Sequence, residues 1–258
     1  MDPYQFSIDL VMEAGAQVRR ARSAGFEVMS KGGDPRDIVT NVDKDIHELV
    51  AGRIAAAFPG HRVYSEEGEH SAEGAYVWTI DPIDGSSNFS RGIPHFAVCV
   101  GLLQEGEPAA GAVYNPVTNE LFSFRKGGGA FLNGEPIRVS ERTDLATAHV
   151  LFHAGRKAEL RDWGGESYRR LLGSAKKTSN PSASSLDTCF VAAGRVEANI
   201  YGTLSTLDIA PAIGLLKEAG GVLSDREGGV CEFSTTPKKI YMANSQHMLE
   251  AVRTLLEG

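Results

Sequence analysis

Two carboxylates, a glycine and a pair of hydroxyls follow directly on an apolar segment at residues 76–80. This segment predicts a buried strand, so Asp81 lies at its carboxyl end, where open sheets bind their ligands. Gly85 lets the backbone approach a ligand closely, and a helix that begins near Ser86 would direct its first N–H groups toward an anion. The pattern therefore predicts an anion site beside Asp81 and Asp84.

Such a site needs a cation, because Asp81, Asp84 and an anion repel one another. Two unit charges about 4 Å apart repel by roughly 4 kcal/mol at an effective dielectric constant of about 20. Magnesium is a hard cation that binds a few carboxylates together with phosphate oxygens. The residues therefore predict magnesium held between the carboxylates and a phosphate group.

Three further acidic positions stand next to apolar segments. Glu66, with Glu67, follows a predicted strand at residues 62–65, while Asp43 and Asp208 each precede a predicted helix. A solvated loop explains the glutamate pair equally well, and helix N-caps explain the two aspartates. Taken singly, these positions leave both interpretations open.

Together these segments resemble the inositol monophosphatase family, and the resemblance covers essentially the whole chain. The segments that carry it, in chain order, are Asp37–Asp43, Glu66-Glu67, Asp81-Pro-Ile-Asp-Gly-Ser-Ser87, Gly129–Gly134, Asp208 and Glu218–Gly221. The resemblance implies a mixed α+β fold, a layered αβαβα sandwich of the inositol monophosphatase and sugar phosphatase type.

The resemblance also implies roles for individual residues. Two or three magnesium ions would be bound by Glu66, Asp81, the Ile83 carbonyl, Asp84 and Asp208, with Asp81 bridging two of them. Ser86, with Asp43 and Glu66, would orient and deprotonate the attacking water. The substrate would contact Asp84, Gly85, Ser86, Ser182, Tyr201 and Asp208.

The implied activity is magnesium-dependent, lithium-sensitive hydrolysis of a small phosphorylated metabolite, such as inositol 1-phosphate or a sugar or polyol phosphate. Water would attack in line without a covalent intermediate. The family tendency to dimerise implies a homodimer. Some bacterial relatives also bind the transcription machinery, so an added interaction role stays open. A haloacid-type phosphatase is disfavoured, because it needs Asp-x-Asp and two residues separate Asp81 from Asp84.

Three departures limit the choice of substrate. Tyr201 stands where inositol-specific relatives carry a glutamate that binds ring hydroxyls, Leu207 replaces a tryptophan, and Pro211 alters the segment after Asp208. A phenol does not accept hydrogen bonds as a carboxylate does, although Tyr201 could also simply pack at the rim. Histidinol phosphate, fructose bisphosphate and nucleotide-type phosphates therefore stay open as alternative substrates.

Composition excludes other classes of protein. The 258 residues carry 33 acidic and 26 basic side chains, a net charge of −7 that argues against a general nucleic-acid surface. No apolar run reaches membrane-spanning length, and residues 1–10 lack the pattern of a secretory signal. Three dispersed cysteines without a CxxC motif favour a reducing cytoplasm over a disulfide framework.

The spacing of apolar residues predicts the helices and strands around these sites. Helices are predicted from Tyr4 to about Glu27 and up to Phe58, then an antiparallel meander to Phe124, then alternating strands and helices beyond Val139. This change predicts two lobes, residues 1–139 with most metal ligands and residues 140–258 with the last ligand and the substrate side.

Three minor motifs have simpler explanations than chemistry. His149 and His153 lie on a predicted strand without a glutamate partner, so packing or surface exposure is favoured over zinc binding. Arg125–Gly129 lacks the ending of a phosphate-binding loop and predicts a hairpin turn. Lys31 could screen the metal site or be a solvated loop lysine.

Overall fold

The computed structural model describes residues 1–31, 33–65, 68, 74–155, 157–229 and 233–258, with the side chains at 31, 35 and 36 outside this description. Within these residues the helices are α1 (Pro3–Ala24), α2 (Asn41–Ala57), α3 (Ser86–Ser90), α4 (Arg161–Ser174), α5 (Ser184–Ala192), α6 (Ala210–Glu218) and α7 (Gln246–Glu257). The strands are β1 (Val28–Lys31), β2 (Asp34–Thr40), β3 (Arg62–Ser65), β4 (Tyr76–Asp84), β5 (Ala97–Gln104), β6 (Glu107–Asn115), β7 (Glu120–Arg125), β8 (Gly129–Leu132), β9 (Glu135–Pro136), β10 (His149–His153), β11 (Lys177–Ser179), β12 (Ala198–Leu204), β13 (Val222–Asp225) and β14 (Lys238–Ala243).

Two large sheets and three helical layers make up the described fold. One sheet has the order β3-β4-β5-β6-β7-β8-β9 and the other β11-β10-β12-β14-β13, with β1 and β2 forming a separate hairpin. Helices α1 and α2 cover the outer face of the first sheet, α5 and α6 lie between the sheets, and α4 and α7 cover the outer face of the second. The predicted αβαβα sandwich is confirmed.

Strand alternation explains how the first sheet serves two cores. On β5, Val98 and Val100 pack with α1 and α2, whereas Ala97 and Cys99 pack with α5 and α6. Successive side chains of a strand point to opposite faces, so a sheet covered on both sides is apolar almost throughout. Helix α6 approaches the first sheet closely because Gly214 leaves room for the Phe124 ring of β7. A Cβ added at Gly214 would lie 2.1 Å from this ring.

Several boundaries differ from the predicted ones for local reasons. Helix α1 ends at Ala24, earlier than predicted, because Gly25 follows with φ of 93° and the strand β1 begins shortly after. Strand β3 pairs parallel with β4, so the predicted meander is antiparallel only from β4 onward. The turn between Arg125 and Gly129 is the predicted hairpin. None of the described helices has both the length and the apolar character needed to cross a membrane.

Candidate active site

A cavity of about 390 Å³ lies where the ends of β4, β10 and β12 face the starts of α3, α5 and α6. It gathers predicted site residues from distant parts of the chain. The residues that line it are Asp37, Ile38, Asp81, Ile83, Asp84, Gly85, Ser86, Ser87, His153, Gly155, Ser182, Ser184, Tyr201, Thr203, Leu204 and Asp208. Of the remaining predicted residues, Asp43 contacts Ser86 from behind the cavity, and Glu66 lies outside the described residues.

A bulge in β4 separates the two carboxylates of the central motif. Asp81 pairs with Cys99 and Asp84 with Ala97, so β4 uses one more residue than β5 over this stretch. Pro82 lacks an N–H and cannot continue the ladder, which suits a bulge. Gly85 then adopts φ of 89°, a conformation that favours glycine, and α3 begins at the next residue. The strand thereby ends with both carboxylates in the cavity lining.

Asp84 is a buried carboxylate with two hydrogen-bond donors. Ser184 Oγ donates to its Oδ1 and the Leu186 N–H donates to its Oδ2, each at 3.0 Å. Burial raises the pKa of Asp84 to about 6, and the nearby charge of Asp187 acts in the same direction. The ionised side chain therefore carries a negative charge that its surroundings only partly stabilise.

Ser86, Asp43 and Thr40 form a hydrogen-bonded chain that begins at the cavity. Ser86 Oγ lies 3.0 Å from Asp43 Oδ1 and 2.9 Å from the Ile83 carbonyl oxygen. Asp43 is 3% exposed, and its Oδ2 accepts from the Thr40 N–H at 2.8 Å and from the Thr40 hydroxyl at 2.5 Å. Because Thr40 is the N-cap of α2, Asp43 takes part in the helix cap while its other oxygen contacts Ser86.

Asp208 reaches the cavity from the turn before α6. Its Oδ1 accepts a hydrogen bond of 3.0 Å from the Tyr64 hydroxyl at the end of β3. The alternative that Asp208 is an N-cap is wrong, because α6 begins at Ala210 and its N-cap is Ile209. Pro211 occupies the first turn of α6, where a missing N–H costs nothing.

Tyr201 lines the cavity but gives its hydroxyl hydrogen to Asp187 at 2.8 Å. The other oxygen of Asp187 accepts from His95 Nε2 at 2.7 Å. Burial and the Asp187 charge raise the pKa of Tyr201 well above its usual value, so the phenol stays protonated. The Tyr201 ring, 5% exposed, also stacks on His153.

Ser182, another predicted substrate contact, has a backbone φ of 63°. Its hydroxyl donates a hydrogen bond of 2.5 Å to the Asn180 side-chain oxygen.

The two histidines singled out in the sequence hold different partners. His149 Nε2 lies 3.0 Å from Ser179 Oγ, and His153 Nδ1 accepts from the Gly155 N–H at 3.2 Å. The structure thus gives each ring a hydrogen-bond partner within the protein. The Lys31 side chain, considered as a screen for the metal site, lies outside the description.

The chemistry of the donor set suits a hard cation. Asp81, Asp84 and Asp208 supply carboxylate oxygens around one cavity, and the poorly compensated charge on Asp84 would be relieved by a cation. A carboxylate oxygen that accepts one hydrogen bond keeps a second lone pair for a metal. Within the described ranges, no three His, Cys, Asp or Glu side chains form a complete cation site by themselves. Such a site would need a further donor, and Glu66 lies outside those ranges.

Sequence reasoning missed several residues that hold the site together. Asp187 bonds both His95 and Tyr201, and Tyr64 bonds Asp208. A carboxylate inside the apolar stretch of α5 was a usable signal for Asp187, because a buried charge normally has partners. Nothing in the sequence marked Tyr64, whose partner is 144 residues away.

Comparison with known proteins shows which family has this sequence and fold. The sequence profile of the inositol monophosphatase family matches residues 2–257. The chain is 34% identical to an inositol-1-monophosphatase of Rhizobium meliloti over 97% of this chain and 94% of the relative, and 37% identical to the Nus factor SuhB of Pseudomonas aeruginosa over 82% and 84%. An IMPase structure from Thermotoga maritima superposes with a TM-score of 0.90 at 29% identity, covering 100% of this chain and 97% of the other. The chain therefore belongs to the inositol monophosphatase family, whose members are phosphatases that hydrolyse phosphomonoesters.

Proposed function

We propose that this phosphatase uses magnesium to hydrolyse the phosphomonoester of a small metabolite, with Ser86 and Asp43 handling the proton of the attacking water. The observation that carries the proposal is the 3.0 Å contact between Ser86 Oγ and Asp43, beside a cavity lined by Asp81, Asp84 and Asp208. A hydroxyl backed by a buried carboxylate, next to oxygen donors for a cation, suits hydrolysis by water.

The ligands that we propose for two or three magnesium ions are Glu66, Asp81, the Ile83 carbonyl, Asp84 and Asp208. Magnesium bound there would lower the pKa of the attacking water and neutralise charge on the phosphoryl and leaving oxygens. The charge on buried Asp84 supports this assignment, since a cation offsets the penalty that burial imposes. Asp81 and Asp208 are only partly buried and so accessible from the cavity.

Ser86 would transmit the proton. Its single hydroxyl hydrogen can go to Asp43 or to the Ile83 carbonyl. Donation to Asp43 leaves the Ser86 oxygen able to accept a hydrogen bond from water in the cavity. Two hydrogen bonds, donated by the N–H and the hydroxyl of Thr40, hold the Asp43 carboxylate in place. The serine would thereby orient the water, and its oxygen would receive a proton from the water while its own hydrogen passes to the Asp43 carboxylate.

The phosphate would bind at the start of α3. The N–H groups of Gly85 and Ser86 precede the first complete helical turn, so the helix itself does not use them. We assign phosphate contacts to these groups and leaving-group contacts to Asp84, Ser182, Tyr201 and Asp208, all in the cavity lining. Because Tyr201 donates to Asp187, it offers no equivalent of a carboxylate that accepts from ring hydroxyls.

The physiological leaving group is therefore open among inositol, sugar or polyol, histidinol and nucleotide-type phosphates and fructose bisphosphate. An added protein-interaction role is a second proposal, supported by a relative named as a Nus factor. The homodimer is likewise proposed from family membership, and sedimentation of the purified chain would test it.

Phosphate release from a panel of these esters, with magnesium and with EDTA, tests the proposal. We expect turnover of at least one ester that depends on magnesium and stops in EDTA. The variant Asp162→Asn, at an exposed position in the first turn of α4, is a matched control that should retain wild-type turnover. Turnover that persists at the same rate in EDTA would overturn the metal assignment.

A further inference from the structure

One wall of the cavity is built by the neighbouring strands β10 and β12. Strands β10 and β12 pair in parallel, with His153 directly beside Tyr201. Their side chains share a face, and the two rings stack with centroids 5.1 Å apart and an interplanar angle of 25°. Both residues line the cavity, together with Gly155, Thr203 and Leu204. A stacked aromatic pair therefore forms part of the cavity lining.

Hydrogen bonds hold both rings in position. The Tyr201 hydroxyl donates to Asp187, which is itself fixed by His95. His153 Nδ1 accepts from the Gly155 N–H, so the neutral imidazole carries its proton on Nε2. Tyr201 is 5% exposed whereas His153 is half-buried. The imidazole is thus the more accessible ring of the pair, and Tyr201 supports it.

The hydroxyls near this wall already donate to protein partners, so toward a leaving group they can only accept hydrogen bonds. The hydroxyls of Ser182, Ser184 and Tyr201 donate to Asn180, Asp84 and Asp187 respectively. Of the described lining residues on β10 and β12 themselves, none carries a carboxylate or an ammonium group, and Asp208, which follows β12, is a proposed metal ligand. Strong discrimination through hydrogen bonds requires buried polar groups that the wrong ligand leaves unpaired. Thr203 adds a single hydroxyl on this side of the cavity, so shape and ring contact are the main means of selection there.

We propose that His153, supported by Tyr201, is a specificity-determining platform on which the leaving group lies. The preferred substrates would be phosphomonoesters of alcohols that carry a flat aromatic or heteroaromatic ring close to the ester oxygen. The inference rests on the proposed function, because it assumes that the phosphate binds at the start of α3. Stacked and edge-on aromatic contacts give a modest gain beyond area burial.

Benzyl phosphate and cyclohexylmethyl phosphate test the platform in the wild-type enzyme. Both are esters of primary alcohols of similar size, so the comparison isolates the aromatic ring. We expect kcat/KM to favour benzyl phosphate by roughly 2- to 12-fold, the range typical of aromatic pairs. A ratio near one would overturn the proposal.

Two substitutions at His153 sharpen the test. His153→Leu removes the ring and should bring the ratio of the two kcat/KM values to about one. His153→Phe keeps a ring and should retain the preference, as should the control Tyr201→Phe, which loses only the hydroxyl bonded to Asp187. A preference that survives in His153→Leu would contradict the platform. Because each ratio is internal to one variant, a general loss of activity does not affect it.

Binding without turnover separates this inference from the proposed function. Calorimetry in magnesium would compare benzylphosphonate with cyclohexylmethylphosphonate, which cannot be hydrolysed. Tighter binding of benzylphosphonate supports the platform even if no ester in the panel is hydrolysed. The absence of hydrolysis would contradict only the proposed function. Equal dissociation constants for the two phosphonates, together with magnesium-dependent turnover of an ester, would contradict only the platform.

Discussion

Replacing Asp84 by asparagine should stabilise the metal-free protein while removing a proposed metal ligand. The side chain is 3% exposed, and burial raises its pKa from 3.8 to about 6. The folded state therefore holds the proton more tightly than the unfolded state does. The contribution of this carboxyl to the free energy of unfolding is therefore fully present at low pH, where the group is protonated in both states. It is lost as pH rises from 3.8 to about 6.

The size of the effect follows from the pKa difference. A shift of about two pKa units corresponds to roughly 3 kcal/mol of penalty at pH 7, and the same linkage gives about 1.5 kcal/mol at pH 5. Asparagine is neutral at both values of pH. It can also keep both contacts, because its oxygen accepts from the Leu186 N–H and its amide donates to Ser184 Oγ. We therefore expect Asp84→Asn to gain up to about 3 kcal/mol at pH 7.

Urea denaturation in EDTA at pH 5 and pH 7 measures this gain. The advantage of Asp84→Asn over wild type should shrink by about half at the lower pH. Added magnesium should stabilise wild type more than the variant, which lacks one of the five proposed ligands, since a ligand stabilises only the state that binds it. Asp162→Asn, at an exposed position in the first turn of α4, should change stability by no more than about 1 kcal/mol at either pH. A variant no more stable than wild type in EDTA at pH 7, or an advantage independent of pH, would refute the reasoning.

Three further predictions concern the phosphate site and the cations. Ser86→Ala should lower kcat by about 100-fold with little change in KM, and Ser86→Thr should restore most of it; an unchanged kcat in Ser86→Ala would exclude the Asp43 relay. Gly85→Ala should lose about 1–3 kcal/mol in urea denaturation, because φ is 89° and the new Cβ would lie 3.1 Å from Ala183 Cβ; wild-type stability would contradict this. Lithium titrated at saturating magnesium should slow phosphate release, as is general in this family, and a flat response would show that this chain departs from it.

The motif around Asp81 was predictable because its information is local. An apolar strand, a proline, a glycine and a helix start follow one another within a few residues, so the bulge and turn are specified where they occur. The layered fold followed from the same periodicity together with the family resemblance. The division into residues 1–139 and 140–258 stays a prediction.

The partners that complete the site could not be predicted in this way. Asp187 contacts His95 from 92 positions away, and Tyr64 contacts Asp208 from 144 positions away. Such pairs depend on how whole layers stack, which local spacing does not encode. The sequence favours packing or surface exposure for His153 because it indicates only the strand of this residue, whereas the stacking of its ring depends on β12.

The rate of magnesium-dependent phosphate release by Asp81→Asn is the sharpest test of the proposed metal site. The measurement uses the best ester of the panel at saturating magnesium, with circular dichroism to verify the fold. We predict a fully folded variant whose phosphate release falls to the level of wild type in EDTA, because Asp81 is a proposed ligand of the magnesium ions. A folded Asp81→Asn enzyme that keeps wild-type, magnesium-dependent release would contradict it.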